Sequence, residues 1–397
     1  MTSAHMNDVI IVGGGHAGLY AAHRLSEAGF QVLLLDQKKS IGEKIICTGI
    51  IGAEAFQKFD LPKDTVLGRM QQVRFYSPAG AYFDYLPPEP LAYIVDRPRF
   101  NQHFARKACE RGAEILTGCR VEGVRIKNEG VNVRVSAESG DRSLRGQSPF
   151  HEYEARALIL ATGVNYKLFE WVGLAAPKQF LGGAQIHIPY EGENWTSIYL
   201  GREVAPGAFA WAVPLESGVA RVGLLAEKNP AFYLKRLLDK LRPGWRDDFR
   251  ESDIDLRPVV QGPLEKSFGD RFLVIGEAAG QIKTTTGGGI YYGLLGAELA
   301  AETLGEAFQK NRFTADVLSP YDRRWKKAIG EELKFGYYFR KFFAKLNDEQ
   351  IEELFDRMAQ EEILNLAHRE AEFDWHKSLI LSIFKLPTVK RVFQNPF

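Results

Sequence analysis

The chain has 397 residues, 45% hydrophobic and 25% charged, with 51 lysines and arginines against 50 acids. That length accommodates two domains, the composition is that of a soluble globular protein, and the balanced charge gives no argument for a nucleic-acid partner. Three cysteines, Cys47, Cys109 and Cys119, argue against a disulfide framework and for a reducing, cytoplasmic setting; no Cys/His spacing suggests a metal site, and no run of transmembrane length or signal peptide is read.

Met1 to His5 read as a dispensable leader, with Met6 as the natural start. Asp8-Val9-Ile10-Ile11-Val12 is an apolar, β-branched run with the pattern of a buried parallel strand. Gly13-Gly14-Gly15-His16-Ala17-Gly18 follows, then the helix-forming stretch from Leu19 to Leu25, then a second strand ending at Asp36. This is a βαβ unit around G-x-G-x-x-G with an acid in the expected place, the pattern of a dinucleotide site. Gly13 permits the tight turn, Gly15 lets the backbone approach a pyrophosphate, and Gly18 lets the helix pack closely on the strand. The helix start at His16 and Ala17 offers free N–H groups and a positive dipole end to phosphates. Asp36 can accept hydrogen bonds from a ribose diol. His16 is expected to face solvent or a phosphate rather than to act as a catalyst.

Further along, Val73–Tyr76 and Ala81–Tyr85 flank Ser77-Pro78-Ala79-Gly80 and read as a hairpin. Asp96-Arg97-Pro98-Arg99-Phe100 opens a helix to about Arg111, with Asp96 as cap and Pro98 in the first turn. A short strand follows at Ala113–Leu116, and antiparallel strands at about Arg120–Glu154. Ala157 to Leu160 forms a buried strand ending in Ala161-Thr162-Gly163; Arg271 to Ile275 forms another, ending at Gly276. The simplest assembly is one parallel sheet built from separated segments. Alternating strands from Phe180 to Leu225 belong to a second, antiparallel domain inserted between pieces of the first. Beyond about Tyr321 the pattern turns helical and rich in aromatics.

Four separate segments carry a resemblance: Gly13 to Gly18 with Asp36, Asp96 to Phe100, Ala161-Thr162-Gly163, and Gly276-Glu277-Ala278-Ala279-Gly280. Together they resemble the FAD-binding set of the p-hydroxybenzoate-hydroxylase-like flavoproteins. Gly276 through Gly296 and Pro206 through Pro214 look most like the geranylgeranyl reductase family within that group. The resemblance implies an α/β fold: a Rossmann-like FAD-binding domain, an inserted antiparallel β-sheet substrate domain and a helical C-terminal region. The FAD-binding domain is expected over residues 1–72, 96–175 and 263–325, the substrate domain over the hairpin 73–95 and residues 176–262, and the helical region over 326–397. Arg97 would contact FAD from the helix start, and Ala161-Thr162-Gly163 would lie near the adenosine half. Glu277 stands where the family usually has Asp, and Thr284 where relatives often place Pro. Gly287-Gly288-Gly289, ahead of a helix from Ile290, would turn backbone N–H groups to the flavin and stabilise its anionic reduced form. The same glycines would also suit helix packing. Cys47 lies in a loop that passes close to the flavin in this fold, where it would influence alkene protonation; a small buried cysteine is the equal alternative.

The activity this implies is FAD-dependent reduction of isolated C=C bonds in a polyprenyl lipid, with Trp195, Tyr199, Phe209, Trp211 and Pro214 in the substrate domain as candidate lining. Phe209 and Trp211, two apart on a strand, fit a plain core equally well. A flavin monooxygenase or halogenase shares the FAD set and is the competing enzyme class; a non-catalytic FAD-containing electron-transfer protein is the third reading. No second G-x-G-x-x-G unit is read, so electrons come from transiently bound NAD(P)H or from ferredoxin, undecided by sequence. Leu333 to Lys345 mixes aromatic and basic residues, and the tail adds Trp375, Leu379, Ile380, Leu381, Ile383, Phe384 and Lys385. That composition suits peripheral contact with a membrane surface, and also an ordinary packed helix whose lysines reach water; for the first segment the packed helix is favoured.

Overall fold

The computed structural model describes residues 6–137 and 150–390. Met1 to His5, read as a leader, lie outside the described residues, as does part of the span read as antiparallel strands between Arg120 and Glu154.

The N-terminal run forms the strand Asn7–Val12, whose residues from Val9 onward are buried on both faces. It pairs in parallel with Val32–Leu35 on one side and Phe150–Leu160 on the other. Glu114–Leu116 and Phe272–Val274 extend the sheet in parallel at its two ends, and Phe268–Gly269 closes the second end antiparallel. Phe150–Leu160 is one strand of 11 residues serving two partners. Its first half alternates in exposure and pairs antiparallel with Val131–Ala137; its second half, buried and apolar from Ala157 to Leu160, runs beside Asn7–Val12. The change from alternating to continuous burial reads in sequence as two strands, but no turn separates them. The helices His16–Glu27, Arg97–Glu110 and Ile290–Gln309 cover one face of this sheet. The ribbon Cys119–Ile126 and Val131–Ala137 covers the other. Asp96 caps the helix from Arg97 as expected, accepting from Arg99 N–H at 3.0 Å.

A second sheet has the order Asp255–Val260, Phe180–Pro189, Val219–Ala226, Ala210–Leu215, Thr196–Tyr199, Val73–Tyr76, Tyr82–Tyr85. Every pair is antiparallel except Thr196–Tyr199 with Val73–Tyr76, which is parallel. The hairpin enters this sheet from a distant part of the chain, so no tight turn forces its direction. A third sheet of three short strands, Ile50–Gly52, Ala92–Val95 and Val66–Met70, bridges the first two.

One face of the second sheet packs under the helix Pro230–Leu241. The opposite face turns toward the C-terminal helices. The first of these, Ala315–Phe343, is 29 residues long and crosses residues 325 and 326 without a break. Pro320 within it has no N–H for the Asp316 carbonyl; the Ser319 hydroxyl donates to that carbonyl instead, at 2.9 Å. Asp348–Met358, Glu361–Glu370 and Lys377–Lys385 follow, and their apolar stripes meet around Ile351, Leu354, Ile363, Leu366 and Ile383. Among the described residues, no helix is long and apolar enough to cross a membrane.

Candidate active site

Between the two sheets and the C-terminal helices runs one cavity of about 1720 Å³. Its first end is the loop between Asn7–Val12 and His16–Glu27. Gly13 has φ +115°, and a Cβ there would lie 2.3 Å from the Ala161 carbonyl oxygen; one at Gly18 would lie 2.0 Å from the Gly13 carbonyl oxygen. These two glycines are packing requirements. Gly15 differs: a Cβ on it would meet nothing within 4 Å, so its open side faces the cavity. Asp36, at the end of the next strand, accepts from Gly14 N–H and, at 2.7 Å, from Lys38 N–H. Ala161, Thr162 and Gly163 line the same end, and the Thr162 hydroxyl is buried without a partner among the described residues.

Buried cations form the middle of the cavity. Arg97 is 4% exposed, and its Nε and Nη1 have no hydrogen-bond partner among the described residues. Burial pushes its guanidinium below the usual value. His16, expected to face solvent or a phosphate, is half-buried on the cavity wall beside Arg97. The helix from Ile290 packs across the start of the helix from His16 so closely that a Cβ at Gly293 would come within 2.6 Å of His16 Nε2. Nε2 donates to the Gly289 carbonyl at 3.2 Å, which leaves Nδ1 to accept from Arg97 Nη2 at 3.4 Å. Burial, then the Arg97 charge, pull its pKa down to about 3, so the imidazole is neutral and ties the two glycine-rich segments together.

Glu277 is buried and ion-paired to Arg257. Burial raises its pKa, and Arg257 opposes that rise. Its Oε1 has no partner among the described residues. Arg257 also donates to the Ile46 carbonyl at 3.0 Å, and Arg221 donates to the carbonyls of Thr48 and, at 3.2 Å, Val95. These two arginines, from the second sheet, fix the loop that carries Cys47. Cys47 is half-buried on the cavity wall, with Sγ accepting from Gly49 N–H at 3.3 Å. Gly276, Gly287, Gly288, Gly289 and Ile290 line the cavity close by. Gly287 takes φ +73° and donates to Lys283 O at 2.8 Å, closing the turn that starts the helix from Ile290.

No local sequence signal marks what stands behind this turn. Lys283 and Asp374 form an ion pair at 2.8 Å, each side chain 4% exposed. Lys283 also donates to the Phe373 carbonyl at 2.9 Å and lies 4.0 Å from the Phe373 ring. His376 donates from Nε2 to the Phe373 carbonyl at 2.9 Å and accepts at Nδ1 from Thr285 Oγ1 at 2.7 Å; burial, then Lys283, hold its pKa at about 3. Thr284, in place of the family's usual Pro, donates to the Leu333 carbonyl at 2.8 Å and ties the turn to the long helix.

Beyond the glycine turn the cavity becomes an apolar chamber between the second sheet and the C-terminal helices. Phe209 and Trp211 line it, and Trp211 Nε1 is buried there without a partner among the described residues. Trp195, Tyr199 and Pro214 do not line it. Along Thr196–Tyr199 the chamber receives Thr196 and Ile198, so Tyr199 points to the other face, stacked on Tyr76 at 4.8 Å. Trp195 packs instead over the Arg74 guanidinium at 3.9 Å. Along Ala210–Leu215 the chamber takes Trp211 and Val213, which leaves Pro214 on the face of Ala210 and Ala212, the core under the helix Pro230–Leu241. Ile380, Ile383 and Phe384 of the tail close the chamber.

The Arg97 guanidinium, whose Nε and Nη1 have no partner among the described residues, fits a pyrophosphate, the open side of Gly15 admits it, and Asp36 and Glu277 offer acceptors for sugar and ribityl hydroxyls. Residues 7–186 match the family described as pyridine nucleotide-disulphide oxidoreductase. The fold is shared with the halogenase PltM in complex with FAD, at TM-score 0.67 and 16% identity over 98% of this chain and 85% of that one. The protein is an FAD-dependent oxidoreductase.

Digeranylgeranylglycerophospholipid reductase 2 of Methanothermobacter thermautotrophicus is 31% identical to it, over 87% of this chain and 90% of that protein. A geranylgeranyl bacteriochlorophyll reductase-like protein from Thermoplasma acidophilum matches at TM-score 0.84 with 20% identity, over 99% of this chain and 100% of that one. The chain belongs to the geranylgeranyl reductase family.

Proposed function

We propose that the protein reduces isolated C=C bonds of a polyprenyl lipid. The observation that carries this reading is the continuity of the apolar chamber with the glycine turn at Gly287-Gly288-Gly289. Bound FAD, once reduced, supplies the hydride for the alkene. An unactivated alkene has no carbonyl to polarise, so this chain contributes by positioning and by excluding water. Phe209, Trp211 and the tail's Ile380 and Phe384 hold the chain of the lipid. Cys47, which lines the same cavity as the glycine turn, is the candidate to influence proton delivery. Anaerobic incubation of dithionite-reduced enzyme with geranylgeranyl lipids, read by mass spectrometry, tests this: each reduced bond adds two hydrogens. Hydroxylated or halogenated product under air, without saturation, would support the monooxygenase or halogenase class instead.

The lipid is drawn from a membrane surface. Tyr338 is 61% exposed, Phe342 37% and Leu381 38%, on the outer side of the helices that wall the chamber. Lys334 and Lys341 share the helix face of Tyr338 and Phe342. Aromatics flanked by lysines on one face match an interfacial helix. Leu333 and Ile383 are buried, and Leu379, Ile380 and Phe384 face the chamber, so these residues do not form the membrane-facing surface. Co-sedimentation with anionic liposomes should fall when Tyr338 and Phe342 are replaced by Ser.

A further inference from the structure

We propose that Arg340 is the anchor for a phosphate group on the lipid substrate, an assignment that rests on the polyprenyl reading above. Arg340 lies on the inner face of the helix Ala315–Phe343 and lines the chamber between Phe339 and Phe343. Gly336, one turn before it on the same face, is packed against the glycine-rich segment: a Cβ there would lie 2.7 Å from Thr284 Oγ1 and 3.0 Å from Thr285 Cγ2. Four residues advance a helix by about 6 Å, so Arg340 stands about one turn from the segment that leads into the flavin-facing glycines.

Arg340 is only 6% exposed. Its Nε is buried with no hydrogen-bond partner among the described residues. Its one ion pair among them is Glu227, at 3.5 Å from Nη1. That contact is long and engages one nitrogen, and the Glu227 side chain is 54% exposed. A guanidinium stays charged and presents five N–H groups in a planar fork. Removing it from water is costly unless an anion and further hydrogen bonds replace the lost hydration. One half-exposed carboxylate on one nitrogen leaves that demand open. A phosphate oxyanion meets it, accepting from Nε and an Nη in the paired geometry that arginine offers. Because Glu227 reaches solvent, Arg340 stands near a mouth of the cavity. The rest of the chamber is apolar, and an amphiphile with one phosphate and a prenyl chain matches both features. The ligand class is a phosphorylated prenyl lipid, monoester or diester.

The test titrates the FAD-loaded enzyme with geranylgeranyl phosphate, geranylgeraniol and inorganic phosphate, following the flavin absorbance and heat of binding. The wild type should bind the phosphate ester about ten- to a hundredfold more tightly than the alcohol, the range expected for a charge-assisted contact. Arg340→Gln should remove that preference and leave geranylgeraniol affinity within about twofold, since the alcohol does not use the contact. Arg340→Lys, which keeps charge but loses the fork, should restore part of it. Glu227→Gln frees Arg340 from its competing acid and should raise the preference; this variant answers even where Arg340→Gln does not fold. Equal binding of ester and alcohol by the wild type, a preference that survives Arg340→Gln, an equal loss for both lipids, or no gain in Glu227→Gln would each overturn the anchor. Inorganic phosphate binding as tightly as the ester would overturn the lipid assignment. Reduction of geranylgeraniol without a phosphate preference sinks the anchor alone; failure of both lipids to bind sinks the polyprenyl reading and the anchor with it.

Discussion

Replacing Asp374 by Ala should destabilise the protein by about 3–5 kcal/mol, the range for removing one partner of a buried ion pair. Lys283 and Asp374 are each 4% exposed and 2.8 Å apart, so the lysine would be left charged in the interior. Its remaining partners are the Phe373 carbonyl at 2.9 Å and the Phe373 ring at 4.0 Å. Both favour the cation, which places the expected loss near the lower end, about 3 kcal/mol. The double variant Lys283→Met with Asp374→Leu removes both charges and should recover most of the loss. Urea denaturation of the wild type, Lys283→Met, Asp374→Leu and the double variant completes a double-mutant cycle, and the coupling energy should exceed about 1.5 kcal/mol. A coupling below about 0.5 kcal/mol would mean that water reaches the pair and that it behaves like a surface salt bridge. FAD content in the single variants adds a second readout. Lys283 brackets the turn that carries Gly287 to Gly289, so flavin retention should fall together with stability.

Four further outcomes are expected. Asp36→Ala should weaken FAD binding about tenfold to a hundredfold through loss of a charge-assisted contact, measured by flavin release from folded protein. Cys47→Ser should alter turnover or the pattern of partly saturated products across pH while FAD content stays at the wild-type level; identical patterns would remove Cys47 from the site. His16 and His376, each held at about pKa 3 in the fold against 6.5 as the ordinary value, bind fewer protons folded than unfolded in that interval. Stability therefore falls as pH drops from 6.5 toward 3, by about 1.4 kcal/mol per pH unit for each histidine, and His376→Gln should lower that slope by the share of one. Glu277→Gln should release Arg257 from its ion pair and weaken FAD retention, read as flavin lost on gel filtration.

The parts of the site that were legible in the sequence are those whose chemistry is local. Gly13 to Gly18 with Asp36, the cap at Asp96 beside Arg97, and Gly287 to Gly289 before Ile290 each announce themselves within a few residues, because turn and helix-start geometry restrict the residue types there. Arg221, Arg257, Lys283, Asp374 and His376 carry no such local mark. Arg257 reaches Glu277 and Ile46 from a different sheet, and Lys283 meets Asp374 across 91 positions, so only the tertiary fold makes them partners. Trp195, Tyr199 and Pro214 show a different limit. Their residue types suited a lipid pocket, but side chains alternate along a strand, and parity decides which face receives them. Phe209 and Trp211 share the parity of Val213 and reach the chamber; Tyr199 and Pro214 have the other parity in their own strands.

The placement of the tail has a chemical consequence. Phe373, Asp374 and His376 hold the segment ahead of Gly287 through Lys283 and Thr285, while Ile380, Ile383 and Phe384, a few residues later, close the apolar chamber. One stretch of chain thus braces the glycine turn and closes the apolar chamber. On the reading proposed above, a prenyl chain seated against Ile380 and Phe384 would steady the same short segment that orients the turn. For an alkene with no polar handle at the reacting bond, that mechanical link is a means by which binding of the distant chain can serve alignment at the double bond.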